Sequence, residues 1–222
     1  ILMSISSNVI SIEDYKIFRN KKSTNGTDNS DITMFAKGLT DETMKYLTQK
    51  FENPVLERDY RNRAIFLILS QTALRAKEAV NLKFSDLLKA PTNETLARYV
   101  KKGGRTAYSV ISEKCLQVVQ EYHSKFELKS DYFFLSLPRR NQNWRSNLST
   151  RGLQLIVNSW NVNTCSGKLA HPHCFRHTAG NKLLSTAGSM AVQKVLSHAS
   201  VNTGIRYYLN PYFDGSKFLT WD

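Results

Sequence analysis

Apolar residues recur at helical spacing along most of this chain and at strand spacing in only one region. From Leu39, TDETMKYLTQKF opens with Thr40 as an N-cap and Glu42 in the first turn, which predicts a helix start. Beyond Pro54, YRNRAIFLILSQTAL sets Ile65, Phe66, Leu69 and Ala73 on one helical stripe. LRAKEAVNLKFSDL continues as a short helix with Ala76, Ala79 and Val80 inward. LARYV and TAYSVIS are β-prone runs on either side of Gly103 and Gly104, the pattern of a hairpin. SEKCLQVVQEYHSKF returns to helical spacing, with Leu116, Val119 and either Tyr122 or His123 on one face. SDYFFLS is a short apolar segment, and PRRNQNWRSN after it is a basic polar loop. STRGLQLIVNSWNV reads as a helix capped by Ser149 or Thr150. PHCFRHTAGNKLLSTA starts with Pro172 at a first helical position, and SMAVQKVLSHA forms a further helix. NTGIRYYLN is helical or irregular.

The fold class is therefore mainly α with a small antiparallel β-sheet. Residues 39–222 make one domain, with a C-terminal tail from about residue 209. Residues 1–38 read as a linker or tail, since RNKKSTNGTDNSD is polar and turn-forming. The chain begins at Ile1 rather than Met, the mark of a piece of something longer, and the linker then trails from an upstream domain.

Composition narrows the function classes. The 222 residues are 41% hydrophobic and 11% aromatic, which excludes disorder throughout. The longest apolar run, AIFLIL, falls far short of the ~20 residues a bilayer needs, so no membrane span is expected. Cys115, Cys165 and Cys174 are odd in number and without paired spacing, which fits free thiols in a reducing, cytoplasmic compartment. The net charge is +13, and nearly all of it lies beyond residue 50. That excess fits a polyanionic partner or, equally, a solvated basic face.

The residues around one late tyrosine decide between those readings. LAHPHCFRHTAG supplies His173 and Arg176 as an HxxR pair; His198 comes 22 residues after that arginine, and Tyr207 nine residues further. About a hundred residues upstream stands Arg75, with Glu78 one helical turn away. Cleaving a phosphodiester without metal requires an oxyanion clamp, a nucleophile and a proton donor for the leaving alkoxide. Arginine suits the clamp, because its planar fork gives two parallel charge-assisted bonds to non-bridging oxygens. A phenol with a free pKa near 10 needs cationic neighbours or a base to act as nucleophile. His173 and His198 are placed to bond to it or to accept its proton.

Each element has a plain structural reading too. Arg75 and Glu78 alone are an ordinary helical pair, and a lone histidine at a helix start is usually a cap or core residue. Cys165, His171, His173 and Cys174 could be imagined as zinc ligands, but their spacing matches no paired CxxC or HxxxH pattern. What favours the functional reading is that all the elements occur together, in order.

In that order and spacing, the chain resembles the catalytic domain of the tyrosine recombinases, the lambda-integrase and Xer-like family, over about residues 38–210. The resemblance maps TALRAKE onto the family's first arginine, Arg75, and YVKKGGRTAYSV onto its hairpin lysine, with Lys102 ahead of Lys101. HxxR is His173 to Arg176, and LSHASVNTGIRY carries His198 and Tyr207. The sequence departs from the family in having Ser197 where glycine precedes the second histidine, KKGG for a GKG-type turn, and a second tyrosine, Tyr208.

The resemblance implies site-specific recombination through a 3′-phosphotyrosine, with Arg75, Lys102, His173, Arg176, His198 and Tyr207 catalytic and no cofactor or metal. It implies double-stranded DNA as partner, and a homotetramer on two DNA sites exchanging strands through a Holliday junction. A type IB topoisomerase, a hairpin telomere resolvase and a non-catalytic DNA-binding relative are the alternatives. Lys101, Arg105, Arg139, Arg140 and Arg145 are the expected DNA contacts outside the pocket. Phe213, Phe218, Leu219 and Trp221 suit either exchange of the C-terminal segment between protomers or folding back onto their own domain.

Overall fold

The computed structural model describes residues 36–101, 103–138, 144–196 and 215–221, and all but the side chain of Ser189 within them. The first helix, α1 (Asp41–Lys50), begins where the sequence places it: Thr40 is the N-cap, and its side chain accepts from the Thr43 N–H. Met44 and Leu47 point from α1 into the core. Helix α2 (Glu57–Thr72) starts earlier than expected and is buried nearly all round, including Arg61, Asn62, Ser70 and Thr72. A single stripe of four apolar residues thus understates α2, which is the central helix of the domain. It packs against α4 (Glu113–Lys125) on one side and α6 (Pro172–Val195) on another.

Helix α2 ends at Ala73, which takes a left-handed conformation with φ 54° and ψ 24°. The chain then turns into α3 (Ala76–Val80), with Ala79 and Val80 buried, and a 3-10 turn at Phe84–Asp86. The expected hairpin is present as β2 (Thr95–Val100) and β3 (Thr106–Ile111), antiparallel with Arg98 opposite Tyr108 and Val100 opposite Thr106. A third strand, β1 (Leu87–Lys89), joins β2 to complete the order β1-β2-β3. Its three residues are too short to show an alternation. Period two on β2 and β3 separates two faces: Ala97, Tyr99, Ala107 and Ile111 join the main core, while Leu96 and Val110 form a small outer cluster with Ala90.

Ser149 caps α5 (Thr150–Asn158) by accepting from the Gly152 N–H. Four aromatic rings weld the domain together: Phe51 after α1, Phe66 on α2, Trp160 after α5 and Phe175 on α6, with centroid separations from 5.0 to 6.2 Å. Gly188 interrupts α6 at φ 77° and ψ 176°, a conformation open essentially to glycine alone. The two predicted helical segments on either side of it are therefore distinct rods.

The segment ahead of α1 is fastened to the domain. Ala36 and Gly38 carbonyls accept from the Ser166 and Cys165 N–H groups, and Leu39 N–H donates to Thr178 Oγ1 at 2.7 Å. At the other end of the chain, Leu219 and Trp221 are buried in the main core and Phe218 packs against it. In the single chain these three side chains rest on their own domain, an arrangement that does not bear on exchange between protomers; Phe213 lies outside the described residues. No described helix is long and apolar enough to cross a membrane.

Candidate active site

The HxxR segment is the first turn of α6. Pro172 occupies its first helical position, where a missing N–H costs nothing. Cys174 and Phe175 are fully buried and lock this turn against α2 and Trp160. That burial fixes the placement of His173 and Arg176, three residues apart and so neighbours on the helix surface.

Arg176 is 5% exposed, and among the described residues no carboxylate hydrogen-bonds to it. Its guanidinium donates instead to two main-chain carbonyls: Nη1 to Ala73 O at 2.8 Å, and Nη2 to Leu196 O. Ala73 presents its carbonyl this way because of its left-handed turn at the end of α2. Two of the five guanidinium donors are thereby used, and the plane of the group is set. Burial, then the neighbouring Arg75 cation, pull the Arg176 pKa down to about 10, with Glu78 and Tyr99 opposing.

Arg75 caps α3 from outside the helix, and Glu78 holds it from behind. The buried carboxylate accepts from the Arg75 backbone N–H at 2.8 Å through Oε2 and from its Nη1 at 3.0 Å through Oε1. The pair is unequal in exposure: the Arg75 side chain is 35% exposed and that of Glu78 3%. Glu78 thus spends its charge inward, and the guanidinium keeps an outward edge.

His173 is exposed and lies between two other imidazoles. His177, one turn on, meets it edge to face at 4.5 Å between centroids, and His171 lies parallel at 6.5 Å. Partial burial lowers the His173 pKa, and Arg176, His171, Arg75 and Lys37 lower it further. His177 is pushed down to about 4, by burial first and then by His173 and Lys37. Both shifts favour the neutral ring.

The structure therefore brings Arg75, His173 and Arg176 into one electrostatic neighbourhood. The hairpin reaches it as well: Tyr99, buried on β2, bears on Arg176, and Lys101 and Arg105 flank the turn two residues beyond. The turn itself is closed by Lys101 N–H to Arg105 O at 2.9 Å and Gly104 N–H to Lys101 O at 3.0 Å. Gly103 and Gly104 both have positive φ, at 96° and 77°, which is why two glycines stand there. Lys102, His198, Tyr207, Arg139 and Arg140 lie outside the described residues.

Arg145 is placed elsewhere. It forms a two-bond ion pair with Glu57, one contact being Nη2 to Oε2 at 3.0 Å. Glu57 opens α2 and Arg75 follows its end, so at ~1.5 Å rise per residue the two lie roughly 25 Å apart. Three participants were not legible as such: His177, Lys37 and Tyr99. The extra histidine in FRHTAG was a visible signal for the first. Lys37 lay in a stretch read as linker, and Tyr99 looked like an ordinary strand residue.

Among the described residues, no three His, Cys, Asp or Glu side chains converge as a metal site. Cys174 points into the core, where burial lifts its thiol pKa to about 12, while its neighbour His173 faces out.

Comparison with known proteins follows the same outline. The model of the phage integrase family matches residues 37–214. A tyrosine recombinase XerC from Staphylococcus epidermidis strain RP62A is 26% identical over 196 residues, covering 81% of this chain and 63% of that protein. A crystal structure of XerA recombinase superposes with a TM-score of 0.54 at 24% identity, over 78% of this chain and 60% of the other. The XerH site-specific recombinase bound to its difH substrate gives 0.55 at 19% identity, over 74% and 47%. The chain thus spans less than two thirds of each of these relatives.

Proposed function

The chain belongs to the phage integrase family, and from that membership we propose that it is the catalytic domain of a site-specific DNA recombinase. The observation that carries the reading is the convergence of Arg75 and Arg176 beside His173, with each guanidinium already fixed by groups other than a substrate. Such preorganised donors act on charge that develops in a transition state without having to reorganise.

In this reading the Tyr207 oxygen attacks a DNA phosphorus and the bond to the 5′-oxygen breaks, leaving a 3′-phosphotyrosine and a 5′-hydroxyl. The phenolic proton passes to His173, whose lowered pKa keeps it neutral and ready to accept. Lys102 gives a proton to the departing 5′-oxygen. The free donors of Arg75 and Arg176, with His198, hold the non-bridging oxygens. A 5′-hydroxyl from a partner strand then reverses the sequence, and the phosphotyrosine conserves the bond energy throughout. Four protomers on two duplexes, joined through a Holliday junction, complete the exchange.

The test is covalent trapping of the full chain on nicked or phosphorothiolate DNA. A denaturant-resistant protein–DNA adduct with a free 5′-hydroxyl is the expected result. Failure to form an adduct on DNA that the protein binds would overturn the reading in favour of a catalytically silent binder. Relaxation of plasmids lacking a defined site would point to a topoisomerase instead, and hairpin products from a linear palindrome to a resolvase.

Outside the pocket we assign phosphate contacts to Lys101, Arg105, Arg139 and Arg140, and a different task to Arg145. Its pairing with Glu57 fastens the basic loop to the start of α2, beside the buried Tyr122. Arg145→Ala should cost about 1–3 kcal/mol in urea unfolding, discounted for the pair's partial exposure. The salt dependence of DNA binding should stay as it is. A log–log salt slope smaller by about one would make Arg145 a phosphate contact after all.

A further inference from the structure

We propose that His177 is a positioning residue for His173, fixing its imidazole against the first turn of α6 and shielding one face of the ring from water. The inference rests on His173 as the proton acceptor of the proposed reaction, and begins from geometry. His177 follows His173 by four residues, so the two side chains lie over one another on the same helical face. Their rings meet at 4.5 Å and 81°, an edge-to-face contact that leaves the His173 ring little freedom to rotate on that side. On the other side, His171 lies parallel at 6.5 Å and within 14°. The acceptor imidazole is held in a row of three.

The base of the row is rigid. Cys174, Phe175, Thr178 and Ala179 on the same helix are all buried. Thr178 bonds both ways: it donates to the Cys174 carbonyl at 2.9 Å and accepts from Leu39 N–H at 2.7 Å. His177 therefore has a fixed root from which to press on its neighbour.

Charge explains why this neighbour should be an imidazole that stays neutral. The groups bearing on the pair are His171, Arg176 and Lys37, with Arg75 also bearing on His173. All are basic. A lysine at 177 would repel the proton His173 must receive, and a carboxylate would hold that proton too firmly and pair with Arg176. A neutral ring avoids both. Burial is the first cause of the lowered His173 pKa, and the His177 ring lies directly against the His173 ring.

The experiment compares wild type, His177→Phe and His177→Ala by two readouts. The first is the NMR titration of the His173 imidazole, which needs no activity. Phenylalanine retains a ring in the same space, so His173 should titrate as in wild type. Alanine admits water, so His173 should titrate at higher pH, back toward the ordinary histidine range. The second is single-turnover cleavage against pH. His177→Ala should lose roughly 10–100-fold, as expected for a misplaced acid–base group, with its acid limb moved to higher pH. His177→Phe should stay within about threefold and keep the wild-type profile.

An unmoved His173 titration in His177→Ala would overturn the proposal, as would equal losses in both variants with unchanged pH profiles. If wild type itself forms no adduct, the recombinase reading fails while the titration still decides the placement of His173.

Discussion

Tyr207→Phe is expected to leave DNA binding intact and to reduce covalent adduct formation by about 10⁴-fold or more, the scale seen when a nucleophile is removed from its catalytic set. The substitution deletes one oxygen and little else, so stability and affinity have no reason to follow. Tyr208→Phe should leave the adduct at its wild-type level. Adjacent residues on a helix point about 100° apart, so only one of the two phenols can face a given phosphate. An adduct lost in Tyr208→Phe and retained in Tyr207→Phe would keep the chemistry and reverse the assignment.

Arg176→Lys is the second large effect. Lysine keeps the charge but has one compact ammonium, which cannot hold two carbonyls and a phosphate in a fixed plane. Cleavage should fall by about 10²–10³-fold, the cost of a missing oxyanion donor. Stability should fall with it, by about 2 kcal/mol or more, because the Ala73 and Leu196 carbonyls would be left buried without partners. That coupling separates Arg176 from Arg75. Arg75→Lys should slow cleavage comparably yet unfold near the wild-type midpoint, since a lysine there can still set a cation against the Glu78 carboxylate and the backbone N–H bond to Glu78 is kept. Urea unfolding alongside single-turnover cleavage reads both quantities. Unchanged stability in Arg176→Lys would mean that the carbonyl bonds are dispensable.

Local signals were legible where one residue decides the outcome. Thr40 and Ser149 cap helices, Pro172 opens α6, and Gly103-Gly104 turns the hairpin, because each satisfies a backbone demand within a few residues. Features that depend on distant partners were not legible. Helix α2 reads as amphipathic until α4, α6 and β3 are packed around it, and its buried Arg61 and Asn62 give no sign of this in sequence. Strand β1 exists because β2 offers it an edge, not because Leu87–Lys89 alternate.

The candidate site divides in the same way. Spacing shows Arg75 and Glu78, and His173 and Arg176, as helical neighbours, and the family resemblance is what joined the two pairs into one site. What holds Arg176 could not be read from spacing, because Ala73 lies 103 residues away. The pairing of Arg145 was hidden for the same reason: in sequence it belongs to a basic stretch, and only the fold sets it against Glu57 across 88 residues.

The two carbonyls that receive Arg176 share a property beyond their distance in sequence. Ala73 is the C-cap of α2 and Leu196 the C-cap of α6. Aligned peptide dipoles leave each such terminus with roughly half a negative charge. One guanidinium thus faces the partial negative charge of two helix ends, to which Glu78 adds its field. This helps a buried arginine stand with no hydrogen-bonded carboxylate among the described residues, and it bears on turnover. In the proposed reaction, once the DNA phosphate has departed, Arg176 is not left as a naked cation that must recruit an anion or collapse onto an acidic side chain. The macrodipoles remain as its counter-charge, and the empty clamp keeps the shape in which it will meet the next strand.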